Sequence, residues 1–179
     1  KKFNEFVINE FKEQRKFNEE QKNEIRLGKQ RKINLSHFVD PKFSAEQMKQ
    51  IRFGLNRGLD VSIYAKKEFN SYQMEQIRLG LEKGLDISVY ATIKFDAWQM
   101  KQIRQGLESN VDVAIYAKEY FEWSRMEQIR YGLEDNLDVA VYAPLKYNWE
   151  EMKEIRLALK CIPNILPYYK ANFNKEQMH

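Results

Sequence analysis

The chain is poor in the residues that disulfide frameworks, zinc sites and many hydrolytic active sites require. Its 179 residues contain a single cysteine, Cys161, and two histidines, His37 and His179. One cysteine excludes an internal disulfide and is typical of a reducing compartment, so we expect a cytoplasmic location. These three side chains do not complete a zinc site, and no serine or cysteine has a histidine base that the pattern brings close. The sequence therefore predicts no metal, no cofactor and no enzymatic activity.

Long apolar runs and uncommitted glycines are also missing. No stretch approaches the roughly 18 uninterrupted apolar residues of a membrane-spanning helix, so we predict none. The seven glycines stand at only two recurring places, which leaves none for a phosphate-binding loop. No secretory signal is visible, and a chain that opens on Lys1 is expected to be part of a longer protein.

Positive charge is concentrated toward one end of a chain whose net charge is +4. Residues 1–68 contain 16 Lys and Arg against 10 Asp and Glu, whereas residues 69–179 contain 14 against 16. The densest basic run is KQRK, which begins at Lys29. This basic first third invites an acidic partner, and nucleic acid is one candidate.

A period of 26 residues organises the sequence. The stretch QMKQIRFGLNRGLDVSIYA at 47–65 is followed 26 residues later by QMEQIRLGLEKGLDISVYA. One aromatic residue begins each unit, at Phe17, Phe43, Phe69, Phe95, Phe121, Tyr147 and Phe173. All six methionines share another place, which predicts a core position. Chance would scatter these residues, so the period predicts a tandem repeat.

Each unit has the pattern of one longer helix followed by one short helix. The residue after the aromatic is usually a good N-cap, and a glutamine three residues later predicts a capping box. The longer helix is expected to end in the left-handed conformation at Gly58, Gly84, Asn110 and Asn136. An aspartate then caps a second helix, which is two turns long or a 3₁₀ segment.

These units predict an all-α fold, an α-solenoid, because a 26-residue helical pair cannot bury its apolar face alone and must stack on its neighbours. We expect an N-terminal capping helix at 1–16, six repeats, and the start of a truncated repeat at 173–179. The repeats, numbered 1 to 6, are 17–42, 43–68, 69–94, 95–120, 121–146 and 147–172.

Two polar ladders follow the period: Arg52, Arg78, Arg104 and Arg130, and the aspartates Asp60, Asp86, Asp112 and Asp138. We favour a structural brace in which each arginine binds an aspartate, since a planar donor fork suits a carboxylate at a half-buried seam. The alternative is that the arginines track phosphate groups. The recurring glycine of the longer helix is expected to let the neighbouring repeat approach closely.

Aromatic and apolar residues also occupy outward places that vary between repeats. Such a patch is typical of a partner surface, and local packing is the alternative that the pattern leaves equally open. The candidate partner-binding residues are Phe53, Tyr72, Leu79, Trp98, Trp123, Tyr131 and Trp149.

The unit F-x-x-x-Q-M-x-x-I-R-x-G-L-x-x-G-L-D-V-x-x-Y-A resembles short helical repeats of large bacterial proteins, including proteins of mobile elements, whose function is poorly defined. The resemblance spans residues 17–178 and is clearest over 43–143. The layout is also similar to solenoids of the leucine-rich-variant and HEAT kind. These resemblances imply a binding scaffold without an active site.

The sequence leaves three functions open. The leading hypothesis is a non-catalytic scaffold that binds a protein or peptide through its outward aromatic positions. The second is a nucleic-acid-binding array that uses the basic N-terminal third and the arginine ladder. The third is a structural spacer arm of a larger protein.

Overall fold

A computed structural model of the chain describes residues 16–162. These residues form six α-helices, separated by five short 3₁₀ helices, and contain no strand. The α-helices are α1 (Glu19–Gln30), α2 (Ala45–Asn56), α3 (Ser71–Glu82), α4 (Ala97–Glu108), α5 (Trp123–Glu134) and α6 (Trp149–Cys161). The 3₁₀ helices are Leu35–His37, Val61–Ile63, Ile87–Val89, Val113–Ile115 and Val139–Val141. The predicted fold class, an α-solenoid of repeated helix units, is confirmed.

The capping helix predicted for 1–16 falls outside the described residues apart from its last residue. The truncated repeat at 173–179 and the second half of repeat 6 lie outside them as well. Two compact units divide the chain, Lys1–Met100 and Lys101–His179. In the first unit α1 packs against α2 and α2 against α3, and in the second α5 packs against α6. Neighbouring repeats therefore stack within each unit.

The helices begin where the capping pattern predicts. Asn18, Ser44, Asn70 and Asn148 each form a complete capping box with the Gln or Glu three residues later. Asp96 and Gln99 exchange the same two hydrogen bonds at the start of α4. Helix α5 is the exception, because its N-cap is Glu122 and makes no side-chain cap hydrogen bond.

The long helices also end as predicted, in the left-handed conformation. Gly58 and Gly84 have φ of 70° and 66°, and Asn110 and Asn136 both have φ of 56°. Lys32, at the same place of repeat 1, has φ of 55° and was not predicted there. A side chain with a Cβ is disfavoured in this conformation by about 1–2 kcal/mol, so residue preference does not explain the turn in repeat 1. The Ile33 amide there donates to the Gly28 carbonyl, as the Leu59 amide donates to the Gly54 carbonyl in repeat 2.

The core repeats with the same period. The aromatic residue that begins each of repeats 2–6 is buried, and so is the isoleucine of the long helix in those repeats. The five methionines within the described residues are fully buried, so the prediction of a core position is confirmed. An aromatic residue at the end of each 3₁₀ helix completes the interior: Phe38, Tyr64, Tyr90, Tyr116 and Tyr142.

The recurring glycine has a different neighbour from the one predicted. We expected it to face the next repeat, but Gly54 lies beneath Tyr64 of its own repeat, and this expectation is wrong. An added Cβ would overlap the Tyr64 hydroxyl and lie 2.9 Å from Val61 Cγ1. The hydroxyl donates to the Gln50 carbonyl at 3.2 Å. The 3₁₀ helix thus folds back onto its own long helix, and the missing Cβ makes room for it.

Candidate protein-interaction surface

Three arginines of the ladder, Arg52, Arg78 and Arg130, cross from their long helix to the preceding repeat. We call such a boundary between neighbouring repeats a seam. Arg52 Nε donates to Glu24 Oε2 at 2.7 Å. In the same way Arg78 Nε donates to Gln50 Oε1, and Arg130 Nε to Gln102 Oε1, both at 3.0 Å. Each acceptor lies 28 residues before its arginine. The arginines therefore brace neighbouring repeats through an acceptor on the long helix.

The aspartates that we predicted as arginine partners have another role. Each accepts the backbone N–H two residues later and caps its 3₁₀ helix: Asp60, Asp86, Asp112 and Asp138. Their exposed side chains lie at the start of the short helix, while the seam lies along the long one. The predicted arginine–aspartate pairing is wrong for this reason. The Ser62 hydroxyl and amide lower the pKa of Asp60, and Ser88 acts likewise on Asp86.

A second carboxylate lies beside several arginines, one turn later on their own helix. Arg78 pairs with Glu82, Arg104 with Glu108, and Arg130 with Glu134. Only 6–8% of each arginine in the predicted ladder is exposed. A phosphate would have to displace the internal acceptors of these arginines, so the four arginines of the predicted ladder do not form an outward cationic face.

Two of the predicted partner-binding residues also lie in the seam. The Phe53 ring centroid lies 4.9 Å from the guanidinium carbon of Arg52 and 5.5 Å from that of Arg78. Tyr131 has the same relation to Arg130 and Arg156, at 4.3 and 5.1 Å. Both rings are half-buried, as is Leu79 at the equivalent place. For Phe53 and Tyr131, packing against arginines accounts for the aromatic side chain.

Sequence reasoning missed a second role of the capping-box glutamine. Gln47 Nε2 donates to the Phe69 carbonyl of the next repeat at 2.6 Å, and Gln73 Nε2 donates to the Phe95 carbonyl at 2.8 Å. One side chain thus closes its own helix terminus and holds the next repeat. The seam acceptor of the arginines was missed too, although a signal existed: Gln or Glu stands at that place in every repeat.

Repeat 5 has Arg125 where the other repeats have glutamine or glutamate. Its guanidinium donates to the carbonyls of Ala143, Pro144 and Tyr147 in the next turn. Arginine has no acceptor atom, so it cannot accept the amide of Glu122 and complete a capping box. The bond to the next repeat is kept, whereas the helix cap is lost.

The ends of the long helices carry a further ion pair across the seam. Arg57 of repeat 2 lies 3.4 Å from Glu82 of repeat 3. In repeats 5 and 6 the signs are reversed, because Asp135 lies 2.7 Å from Lys160. Asp135 occupies the repeat position of Arg57, and Lys160 occupies that of Glu82, so the acidic and the basic residue are exchanged.

The predicted residues at the start of the long helices are exposed to solvent. The exposed fraction is 70% for Tyr72, 57% for Trp98, 42% for Trp123 and 40% for Trp149. The turns that precede these helices add Ile93, Tyr120 and Leu145, which are 63–69% exposed. We call these seven residues, three in the first unit and four in the second, the turn edge.

The three turn residues of this edge lie outside the helix faces whose period predicts a surface. Their signal was a change of residue type in the two places before the aromatic that begins each repeat. The turn before repeat 2 has Pro41 and Lys42 there, and the turn before repeat 3 has Lys67 and Glu68. The later turns have a large apolar residue instead. The turn edge is therefore polar in the early repeats and apolar in the later ones.

An open pocket of about 410 Å³ lies on the turn edge of the second unit. Tyr120, Leu145 and Trp149 form its apolar lining, and Glu122, Arg125 and Lys146 are among its polar groups. The first unit has a groove of about 440 Å³ between α1 and α2, lined by Glu19, Glu20, Glu24 and Glu46. Of these two, the pocket of the second unit alone combines aromatic rings with cationic side chains.

Within residues 16–162, no helix has the length and apolar character needed to cross a membrane. The same residues contain no cluster of three or more His, Cys, Asp and Glu side chains arranged to hold a metal ion. The sequence matches no known protein family, no curated protein and no solved structure.

Proposed function

We propose that the protein is a non-catalytic repeat scaffold that binds a protein or peptide partner through the turn edge. One observation supports this most: large aromatic side chains are exposed at the turn edge, whereas the recurring aromatics are buried. Exposed tryptophan and tyrosine on a regular frame are the residues that most often contribute binding energy at protein interfaces. Solvation alone does not explain them, since a solvent-facing helix place accepts any polar residue.

The frame suits this role because its fixed and variable residues are separate. Glycine, methionine, arginine and glutamine are used to build and join the repeats, so they cannot change freely. The turn edge makes none of the seam bonds described above. Residues there can differ from repeat to repeat without loss of the stack, which is how repeat proteins vary their binding surface.

Two other functions were expected from the sequence. A nucleic-acid-binding array would use the arginine ladder, but those arginines are buried and bind acceptors inside the chain. That leaves only the basic first third in favour of nucleic acid. A spacer arm needs no binding surface, so it does not explain the exposed aromatics. A protein-binding scaffold accounts for the buried arginines, which join the repeats, and for the exposed aromatics, which can contact a partner.

A peptide-display library panned on the purified chain tests the proposal. We expect enriched peptides that lose binding by about tenfold or more when Trp98 and Trp149 are both changed to alanine. Leu157→Ala is the matched control, because Leu157 is also an exposed apolar residue but lies outside the turn edge. Circular dichroism establishes that each variant keeps its helices.

Two results would contradict the proposal. One is the absence of any enriched peptide. The other is a set of enriched peptides that bind the double variant and the wild type equally well. Fluorescence polarisation with a labelled single-stranded DNA at low and high salt tests nucleic acid separately, since phosphate binding weakens steeply with salt. Tight, salt-sensitive binding would favour the nucleic-acid array instead.

A further inference from the structure

We propose that the pocket of the second unit binds a proline-rich peptide segment in the polyproline II conformation, with an acidic residue beside the prolines. This inference rests on the proposed function, and it names the class of partner. The pocket brings together Tyr120 and Leu145 from successive turns and Trp149 from the first turn of α6. Tyr120 lies one residue before the aromatic that begins repeat 5 and Leu145 two residues before that of repeat 6, so the pocket is built from two successive turns.

The spacing of that edge favours a polyproline II ligand. Packed helices lie about 8–10 Å apart, so equivalent places of stacked repeats recur at about that distance. A polyproline II helix has three residues per turn and rises about 3.1 Å per residue, and its side chains recur about every 9 Å. Every third residue of such a peptide can therefore contact successive turns. A β-strand, whose side chains recur on one face about every 6.8 Å, does not keep this register.

The apolar lining suits proline rings. Grooves lined by aromatic residues bind proline-rich segments, because the flat rings match and the peptide is already ordered before binding. Tyr120 is held in place by an edge-to-face contact with Phe121, with ring centroids 4.9 Å apart and an interplanar angle of 80°. An exposed ring that is already oriented has less entropy to lose when a ligand binds.

The polar groups of the pocket match the rest of such a ligand. A polyproline II helix has no internal hydrogen bonds, so its carbonyls need outside donors. The Trp149 indole N–H and the Tyr120 hydroxyl are donors of this kind. Arg125 and Lys146 against Glu122 give the described lining an excess of one positive charge. An acidic residue next to the prolines is therefore preferred over a basic one.

Fluorescence polarisation with defined peptides tests the inference on the whole chain. The probe is a fluorescein-labelled peptide of about nine residues, three turns of polyproline II, with prolines at two of every three places and aspartate at both ends. A second probe has lysine at the ends, and a third has alanine in place of every proline. We expect the first probe to bind at least about tenfold more tightly than the third, and more tightly than the second.

Variants then locate the site. Tyr120→Ala and Trp149→Ala should each weaken the first probe by about tenfold, whereas Leu157→Ala, at an exposed apolar residue outside the turn edge, should leave it unchanged. Equal binding of the first and third probes, or binding that survives both pocket variants, would overturn the inference.

The panning experiment separates this failure from failure of the proposed function. Enriched peptides that lack proline but depend on Trp149 would overturn the proline-rich ligand and leave the scaffold proposal standing. No enriched peptide at all would overturn both.

Discussion

Two seams of the molecule, between repeats 2 and 3 and between repeats 5 and 6, join their repeats with different residues in the same arrangement. In the first, Gln47 donates to the Phe69 carbonyl, and in the second Arg125 donates to the Tyr147 carbonyl. Arg78 reaches Gln50 across one seam as Arg156 reaches Gln128 across the other. The ion pair at the helix ends joins Arg57 to Glu82 across the first seam and Asp135 to Lys160 across the second, so the acidic and basic residues are exchanged.

The difference teaches that a seam requires a donor and an acceptor at set places, and not particular residues. Arg125 meets the requirement at the Tyr147 carbonyl and gives up the capping box, so the two roles of the glutamine are separable. The buried glycine–tyrosine contact, in contrast, has the same form in repeats 2 to 5. Substitutions can distinguish the contacts that both seams share from those that only one of them has.

The largest expected effect comes from the contact that the two regions share. Gly54→Ala and Gly132→Ala should each lower the free energy of unfolding by about 3 kcal/mol, because the added methyl overlaps a buried tyrosine hydroxyl. Urea denaturation followed by circular dichroism measures this. Alanine otherwise favours a helix over glycine by about 1 kcal/mol, so a stabilised variant would show that the hydroxyl moves away without cost.

Next in size is the arginine brace. Arg78→Ala should lower the free energy of unfolding by about 2 kcal/mol, since it removes buried hydrogen bonds to Gln50 and Glu82. Arg57→Ala is the matched control, because Arg57 pairs with the same Glu82 from an exposed position and should cost less than about 0.5 kcal/mol. Equal effects in urea denaturation would refute the brace.

The two roles of the capping-box glutamine can be separated at one position. Gln47→Glu keeps an acceptor for the Ser44 amide, as Glu151 shows, but cannot donate to the Phe69 carbonyl. We expect a loss of about 1.5 kcal/mol at neutral pH. Gln47→Arg copies repeat 5, keeps the donation and should lose less. If thermal unfolding ranks these two variants in the opposite order, the cap and not the seam bond is the main contribution.

The missing cap of repeat 5 gives a smaller effect of opposite sign. Glu122→Asn should raise the free energy of unfolding by about 0.5–1 kcal/mol, because asparagine can accept an amide of the first turn that Glu122 leaves without a side-chain acceptor. Differential scanning calorimetry would measure the shift. Asn70→Glu, the reverse change in repeat 3, should lower stability by a similar amount, and a gain there would contradict the explanation.

The smallest expected effect concerns the exposed aspartates. The Ser62 hydroxyl and amide lower the pKa of Asp60, so its contribution to stability is present above the unfolded pKa and is lost as pH falls through the folded one. Ser62→Ala should raise the pKa of Asp60 toward its ordinary value. Carboxyl chemical shifts measured across an acid titration give the pKa of Asp60 in the wild type and in the variant. An unchanged pKa in the variant would show that the Ser62 hydroxyl does not lower it.

The fold was predictable because it depends on local signals that recur. A few neighbouring residues are enough to predict a capping box, a left-handed residue or a buried methionine. Each such signal is ambiguous by itself, and its recurrence in successive repeats removes that ambiguity. Lys32 shows the limit of this reasoning. Its residue type does not favour the left-handed conformation, yet the chain adopts it there with the same local turn bond, from the Ile33 amide to the Gly28 carbonyl.

The contacts across the seam were less predictable, because they depend on how one helix is rotated against the next. The period places Arg78 and Asp60 near the same boundary, but it does not give the direction in which either side chain points. The structure shows that Arg78 donates to Gln50 instead. The exposed turn residues Tyr120 and Leu145 were missed for another reason: a pattern search for helix faces passes over turns.

The reversed ion pair at the helix ends limits how such a gene can be rearranged. If a copy of repeat 3 followed repeat 5, Glu82 would face Asp135, and two carboxylates would meet where each now has a cationic partner. Recombination between these near-identical segments would then create a mismatched junction. Repeats that look interchangeable are in this way ordered.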